Sequence, residues 1–403
     1  MSPSPLALPV CNSSFESTSP SEHDAQEQVV TIEKNEQRIS EGTLPLGLPD
    51  FIAQAPFYNG MMQTVLTWTK RIKESALNEF NRRPLNLPID DGTGDCLTAE
   101  LLQPHSDVGA NRPLIVLLHG LGGTSQSVYI RSAAHYLCSQ GNRVVRLNFR
   151  GAGDAAGCCD EIHHPGRYRD LAALFSSVSN NPQFQSELEA GVVLAGFSLG
   201  GSVLLNYLAR EDLDDRIRGA ITISAPLDLK STSRCLDKPT RWPFQRYLLH
   251  KMRHEINRSN VDITPAEEKA IKNARSVWEF DKTFTAPRAG YSDVESYYAD
   301  NSAGTRLSQI NIPTLLLFAK DDPLIDGQGY LNRNWDDNPC LIPAMVPDGG
   351  HVGFHASPNS LPDNATRWHE ACIHQFVNSL QSTDHQIPSD CSNYQEKQYA
   401  QLV

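Results

Sequence analysis

Residues 192–202 read Val-Val-Leu-Ala-Gly-Phe-Ser-Leu-Gly-Gly-Ser: an unbroken apolar run, then Gly196-Phe197-Ser198-Leu199-Gly200, then small residues. An apolar strand passing directly into G-x-S-x-G and a helix start specifies a sharp, strained strand-to-helix turn that leaves the central side chain exposed. Only glycine two positions to either side lets the neighbouring backbones pass so closely. Ser198 is therefore expected at the apex of such a turn, with its hydroxyl free for nucleophilic chemistry.

The rest of the chain alternates in the same way. Apolar runs of buried-strand type occupy 114–118, 144–149, 192–195, 220–223, 314–318 and, more weakly, 344–346. Helical stretches at 125–140, 167–178, 202–210 and 365–380 separate most of them, the last with Trp368, Cys372, Phe376 and Leu380 on one face. This alternation predicts the α/β class, a mostly parallel sheet with helices on both faces. Residues 84–103 alternate around Asp90-Asp91-Gly92-Thr93-Gly94, which predicts an antiparallel hairpin at one sheet edge.

From about 228 to 309 the rhythm stops while aromatic residues continue (Trp242, Phe244, Trp278, Phe284, Tyr297, Tyr298). A segment this long is no plain connection; it is read as a cap inserted over Ser198, with Trp242 and Phe244 shaping the pocket. Core segments 49–227 and 310–381 flank it, and residues 51–72 form a short amphipathic element packed on the domain. Residues 1–48, rich in Ser, Pro, Glu and Gln, are expected to form a disordered acidic tail, and 382–403 a flexible one.

A second glycine-rich turn, His119-Gly120-Leu121-Gly122-Gly123, closes the run 114–118. Acyl transfer develops negative charge on a carbonyl oxygen, and the backbone N–H groups of Leu121 and Leu199 are the expected donors to it. His119 is read as ordering its loop, and the turn lacks the Lys-Ser/Thr of a phosphate-binding loop. A third signal is Asp321-Asp322-Pro323 after the run 314–318, followed by Gly349-Gly350-His351-Val352-Gly353-Phe354 after the last one. A serine needs a base, and the base needs an acid to fix its tautomer. Of 13 histidines, only His351 occupies a glycine-flanked loop directly after a late strand, which sets it above His355. Adjacent residues at a strand end point different ways, so one of Asp321 and Asp322 reaches the imidazole. Asp322 is preferred because Pro323 stiffens the turn beside it.

A formal net charge of -12 without any compensating basic run argues against nucleic acid as a partner. Nine scattered cysteines without zinc spacing are read mostly as thiols of a reducing compartment. No window reaches the roughly 18–20 apolar residues of a membrane span, and the first residues lack a signal-peptide pattern, so a cytoplasmic location is expected, with peripheral membrane contact left open.

Taken together, these residues resemble the YheT-like branch of the α/β-hydrolases, related to the eukaryotic ABHD-type acylglycerol and phospholipid hydrolases, over roughly 50–380. The more specific likenesses are Asn148-Phe149-Arg150-Gly151-Ala152-Gly153, Gly166-Arg167-Tyr168-Arg169-Asp170, Trp278-Glu279-Phe280-Asp281 with Tyr297-Tyr298, and the closing Gly349–Phe354 stretch. Asn59-Gly60-Met61-Met62-Gln63-Thr64 departs from the His-Leu-Gln-Thr-like stretch of relatives, and Cys158-Cys159 falls in a variable loop. The resemblance implies the α/β-hydrolase fold, independently favours Asp322 as the acid, and implies hydrolysis of small-molecule or lipid esters without metal or organic cofactor. The alternatives are acyl transfer through the same acyl-enzyme and a binding protein that has kept the fold without turnover.

Overall fold

The computed structural model describes residues 22–41, 44–69, 73–105, 111–179, 187–362 and 364–382. Its centre is an eight-stranded sheet of order β1-β2-β4-β3-β5-β6-β7-β8. The strands are β1 (Asn81–Pro88), β2 (Cys96–Gln103), β3 (Leu114–Leu118), β4 (Val144–Asn148), β5 (Val192–Phe197), β6 (Ile217–Ile223), β7 (Thr314–Ala319) and β8 (Leu341–Val346). The β1–β2 hairpin is the expected antiparallel edge, with Leu85 opposite Ala99, and β2 joins β4 antiparallel. All other pairings are parallel.

Every residue of β3, β4, β5 and β7 is buried. Helices on both faces demand that, and it explains why these strands read as continuous apolar runs rather than alternating ones. Successive side chains still separate into two cores. Ile115, Leu117, Val193, Ala195 and Leu315 pack with α3 (Val128–Ser139) and α10 (Trp368–Ser382). Val116, Leu118, Val192, Leu194 and Leu316 pack with α4 (Ala172–Ser179), α5 (Leu199–Arg210) and the helices between β6 and β7.

Those intervening residues carry α6 (Leu229–Leu236), α7 (Trp242–Arg258), α8 (Pro265–Asn273) and α9 (Val294–Asn301), with no strand among the described residues. Thr264 and Glu267 form a reciprocal capping box that starts α8. Phe244, Leu249, Met252, Ile256, Phe280 and Phe284 of this segment join the core beneath it, so it is seated on the sheet by apolar packing.

One expectation is corrected. Residues 22–41, assigned above to a disordered tail, form helix α1 (Glu22–Glu41). Its Asn35 and Ile39 are buried along one stripe, Asn35 Nδ2 donates to Leu331 O at 2.8 Å and Arg333 O at 2.9 Å, and Lys34 and Arg38 both pair with Asp336. Two residues one turn apart suffice to dock a helix of good formers on a surface, and a search for aromatic-rich burial overlooks so narrow a stripe. The surface it meets includes β8, the last strand of the sheet. Residues 1–21 and 383–403 lie outside the described residues.

No helix among the described residues is long and apolar enough to cross a membrane. Cys96, Cys138, Cys158, Cys159, Cys235 and Cys372 carry free thiols, as expected, whereas Cys340 is disulfide-bonded.

Candidate active site

Strand β5 ends at Phe197 and α5 begins at Leu199, so Ser198 alone makes the turn, at φ 52° and ψ -125°. For a non-glycine residue such a conformation costs about 1–3 kcal/mol and persists only where its surroundings enforce it. Here Ser198 N–H donates to Ile223 O of the neighbouring strand at 2.8 Å. The flanking glycines explain themselves by contact. A Cβ on Gly196 would stand 2.6 Å from Gly200 O, and one on Gly200 would stand 2.4 Å from His119 O. The loop after β3 is therefore pressed directly against the start of α5.

Ser198, His351 and Asp322 meet in one hydrogen-bonded row. His351 Nε2 lies 2.8 Å from Ser198 Oγ, and Nδ1 lies 2.9 Å from Asp322 Oδ2. A carboxylate only accepts, so opposite ionised Asp322 the ring proton belongs on Nδ1, and Nε2 is left to accept from the serine. The Asp322 side chain is fully buried. Its other oxygen, Oδ1, accepts the N–H groups of Leu324 at 2.8 Å and Ile325 at 3.1 Å, which turns Oδ2 toward the imidazole. Asp321 faces elsewhere: its Oδ1 accepts Gly350 N–H at 2.9 Å, and burial pushes its carboxyl up to about 6. It ties the strand end to the loop that carries His351.

No acceptor meets Leu121 N–H or Leu199 N–H among the described residues, whereas several amides around them are bonded. Gly120 N–H goes to Tyr129 Oη at 2.9 Å, Gly123 N–H to Gly120 O at 3.0 Å, and Gly201 N–H to Ser198 O at 2.8 Å. The amides of Leu121 and Leu199 are thus unengaged donors beside Ser198. His119 has a different task. Nδ1 lies 2.8 Å from Gly120 O, Nε2 accepts Phe149 N–H at 3.2 Å, and burial pushes the ring down to about 4. It is a neutral spacer between the loops after β3 and β4.

Several residues that position the site were not assigned from sequence. On α2 (Gly60–Thr69), buried Thr64 accepts His351 N–H at 2.8 Å and donates to Gly60 O at 2.6 Å. Gln63 donates to His355 O at 3.0 Å and accepts His355 N–H at 2.7 Å, holding the loop four residues further on. Both belong to the stretch noted above only as a departure from relatives. Arg150, fully buried, reaches Asp170 at 2.8 Å, Asp95 at 2.7 Å and Asp91 at 2.7 Å. It binds the β1–β2 turn to the segment after β4, which gives the Arg150 and Asp170 motifs a structural purpose. Burying a guanidinium demands that number of carboxylates.

Ser198 and His351 open onto a cavity of about 640 Å³, walled by Leu121, Phe244, Met252, Ile256, Phe280 and Tyr297 among others. Phe244 is 3% exposed and belongs to this wall. Trp242 does not. It is 54% exposed, under the guanidinium of Arg246 at 4.7 Å. The expectation that it shapes the pocket is corrected: two residues apart on α7, the side chains point about 200° apart around the axis. Asp281, pushed up to about 6 by burial, accepts from Tyr298 Oη at 2.6 Å, and Tyr297 and Tyr298 pack with Leu199. The Trp-Glu-Phe-Asp and Tyr-Tyr motifs thus anchor the segment between β6 and β7 to the turn that carries Ser198.

The family profile described as alpha/beta hydrolase fold matches residues 113–358. Over 330 residues the chain is 29% identical to YheT of Escherichia coli, covering 81% of this chain and 91% of that protein. It is 29% identical over 280 residues to human phospholipase ABHD3, covering 69% of this chain and 66% of the other. With monoacylglycerol lipase of Saccharomyces cerevisiae it shares 29% over 278 residues, 66% of this chain and 59% of that one. The likeness expected from the motifs is found in these matches.

Proposed function

Since the chain belongs to the α/β-hydrolase fold family, we propose that it is a serine hydrolase that cleaves carboxylic esters through an acyl-enzyme. The observation that carries this reading is the row Ser198 Oγ, His351 Nε2 and Nδ1, Asp322 Oδ2, with both hydrogen bonds under 3 Å. In it, Ser198 Oγ attacks the ester carbonyl carbon while His351 Nε2 takes the hydroxyl proton. Asp322 holds the Nδ1 proton and stabilises the imidazolium. The oxyanion is received by the N–H groups of Leu121 and Leu199, dipoles already oriented before charge develops. Collapse breaks the bond to the alcohol oxygen, which leaves with the proton from His351. Water then gives a proton to His351 as it attacks the acyl-serine carbonyl, and collapse breaks the bond to Ser198 Oγ, which takes the proton back from His351 as the acid leaves.

The apolar cavity supports an acyl chain as the leading specificity element, and relatives named phospholipase and monoacylglycerol lipase support a lipid ester as substrate. A fluorophosphonate probe should label Ser198, and p-nitrophenyl esters of graded chain length should be hydrolysed. Labelling that persists in Ser198→Ala, or absence of turnover on every ester, overturns the reading.

A further inference from the structure

Polar groups in the wall of a cavity need partners, and those around Ser198 divide: several have them, while His163, Thr232 and Ser233 hold buried polar atoms without one among the described residues. Asp281 accepts from Tyr298, Thr64 is engaged with His351 and Gly60, and His164 Nδ1 accepts Gly166 N–H at 3.1 Å. Glu255 on α7 is the carboxyl of this wall that lacks one among the described residues. It lines the same cavity as Ser198, and among the described residues its carboxyl has neither a hydrogen bond nor an ion pair. Its helix neighbours Met252 and Ile256 are buried core residues. Glu255 itself is half-buried and lines the cavity.

A carboxyl left this way is less stable than a partnered one. A ligand that carries a hydroxyl on an alkyl body fills apolar space and satisfies the carboxyl together. Resting on the ester-hydrolase reading above, we propose that Glu255 forms a polar subsite of the catalytic cavity that binds a free hydroxyl of the ester substrate. The preferred substrates are then hydroxylated esters rather than plain alkyl esters.

Two further facts favour a hydroxyl over a cationic headgroup. Burial pushes the Glu255 carboxyl up to about 8, with Lys251 pulling it the other way. A protonated carboxyl both donates and accepts, which suits a hydroxyl. Lys251 stands one helical turn away and repels a second cation.

The test compares kcat/KM on 1-monooctanoylglycerol, ethyl 8-hydroxyoctanoate and ethyl octanoate, so that the hydroxyl lies on either side of the ester bond. Wild-type protein should favour at least one hydroxylated ester over the plain one by about tenfold or more. In Glu255→Leu that ratio should fall to near one, and in Glu255→Gln, which keeps a donor and an acceptor, it should largely survive. A wild-type ratio near one, or a ratio unchanged in Glu255→Leu, overturns the subsite. If no ester is turned over, the hydrolase reading fails separately, and binding of 1-O-octylglycerol against octyl ethyl ether decides the subsite. Preference for the glycerol ether that is lost in Glu255→Leu supports it, and equal binding overturns it.

Discussion

Thr64→Val replaces one hydroxyl by a methyl and leaves the side-chain shape unchanged. Thr64 is 2% exposed, and its Oγ accepts the backbone N–H of His351 at 2.8 Å. The bond it donates to Gly60 O, at 2.6 Å, matters less, because a helix carbonyl still has its regular partner. The accepted bond has no substitute: a valine methyl would face an N–H that solvent reaches poorly. An orphaned buried donor costs about 1–3 kcal/mol, and each kcal/mol lowers the melting temperature by about 2–4 °C in a domain of roughly 200 residues, less in a larger one. The effect on rate should be larger. To escape the contact the backbone at His351 must move, and the imidazole moves with it; a misplacement of about 1 Å costs on the order of 100-fold. Thr67→Val is the matched control, since Thr67 Oγ1 donates to Gln63 O at 3.2 Å and lies 3.3 Å from His355 Nε2 without touching His351. For both variants we would measure kcat/KM on a p-nitrophenyl ester, the rate of fluorophosphonate labelling, and the melting temperature. Thr64→Val should lose activity and stability, and Thr67→Val chiefly stability. If Thr64→Val melts lower yet labels at the wild-type rate, the bond holds the fold without positioning the base, and the reasoning is refuted.

Ser198→Ala should abolish ester hydrolysis with the fold retained, and adding His351→Ala should cost almost nothing more, because the two act as one unit; losses that multiply would argue against a shared mechanism. Asp322→Asn should lower kcat by on the order of 10⁴-fold through the wrong imidazole tautomer, with Asp321→Asn far milder; side-by-side kinetics giving the reverse order would reassign the acid. Burial holds the Asp321 carboxyl at about 6, above the unfolded value of about 3.9. The folded state therefore binds the extra proton between those values, and stability falls as pH rises through that window. Asp321→Asn removes this dependence, so denaturant unfolding across the window should show the variant gaining on wild type toward higher pH; parallel curves would contradict it. Phe244→Ala should shift acyl-chain preference, whereas Trp242→Ala should leave it alone, and a shift in both would mean that Trp242 reaches the cavity.

The strand runs, the edge hairpin and the turn at Ser198 were legible in the sequence because each depends on neighbours in the chain. A buried parallel strand must be apolar throughout, and the sharp turn tolerates only glycine at 196 and 200. Chain order and loop context singled out His351 and the pair Asp321-Asp322 for the same reason, each lying in a short segment just after a strand end, and Pro323 with the family resemblance favoured Asp322. Thr64, Gln63, Arg150 and Glu255 were not legible. Thr64 acts on a residue 287 positions away, and no local pattern encodes which amide a threonine will meet. Arg150 resembles a surface arginine until three aspartates from two other segments surround it. Helix α1 escaped notice because its docking stripe is two residues wide and its destination lies beside the last strand. The difference between Trp242 and Phe244 was likewise decided by folding. Both are aromatic and both sit at the start of α7, so composition ranks them equally, and only the seating of that helix on the sheet turns one side chain toward Ser198 and leaves the other in solvent. What depends on periodicity and backbone sterics was written in the order of residues, and what depends on which surfaces meet was left to the tertiary structure.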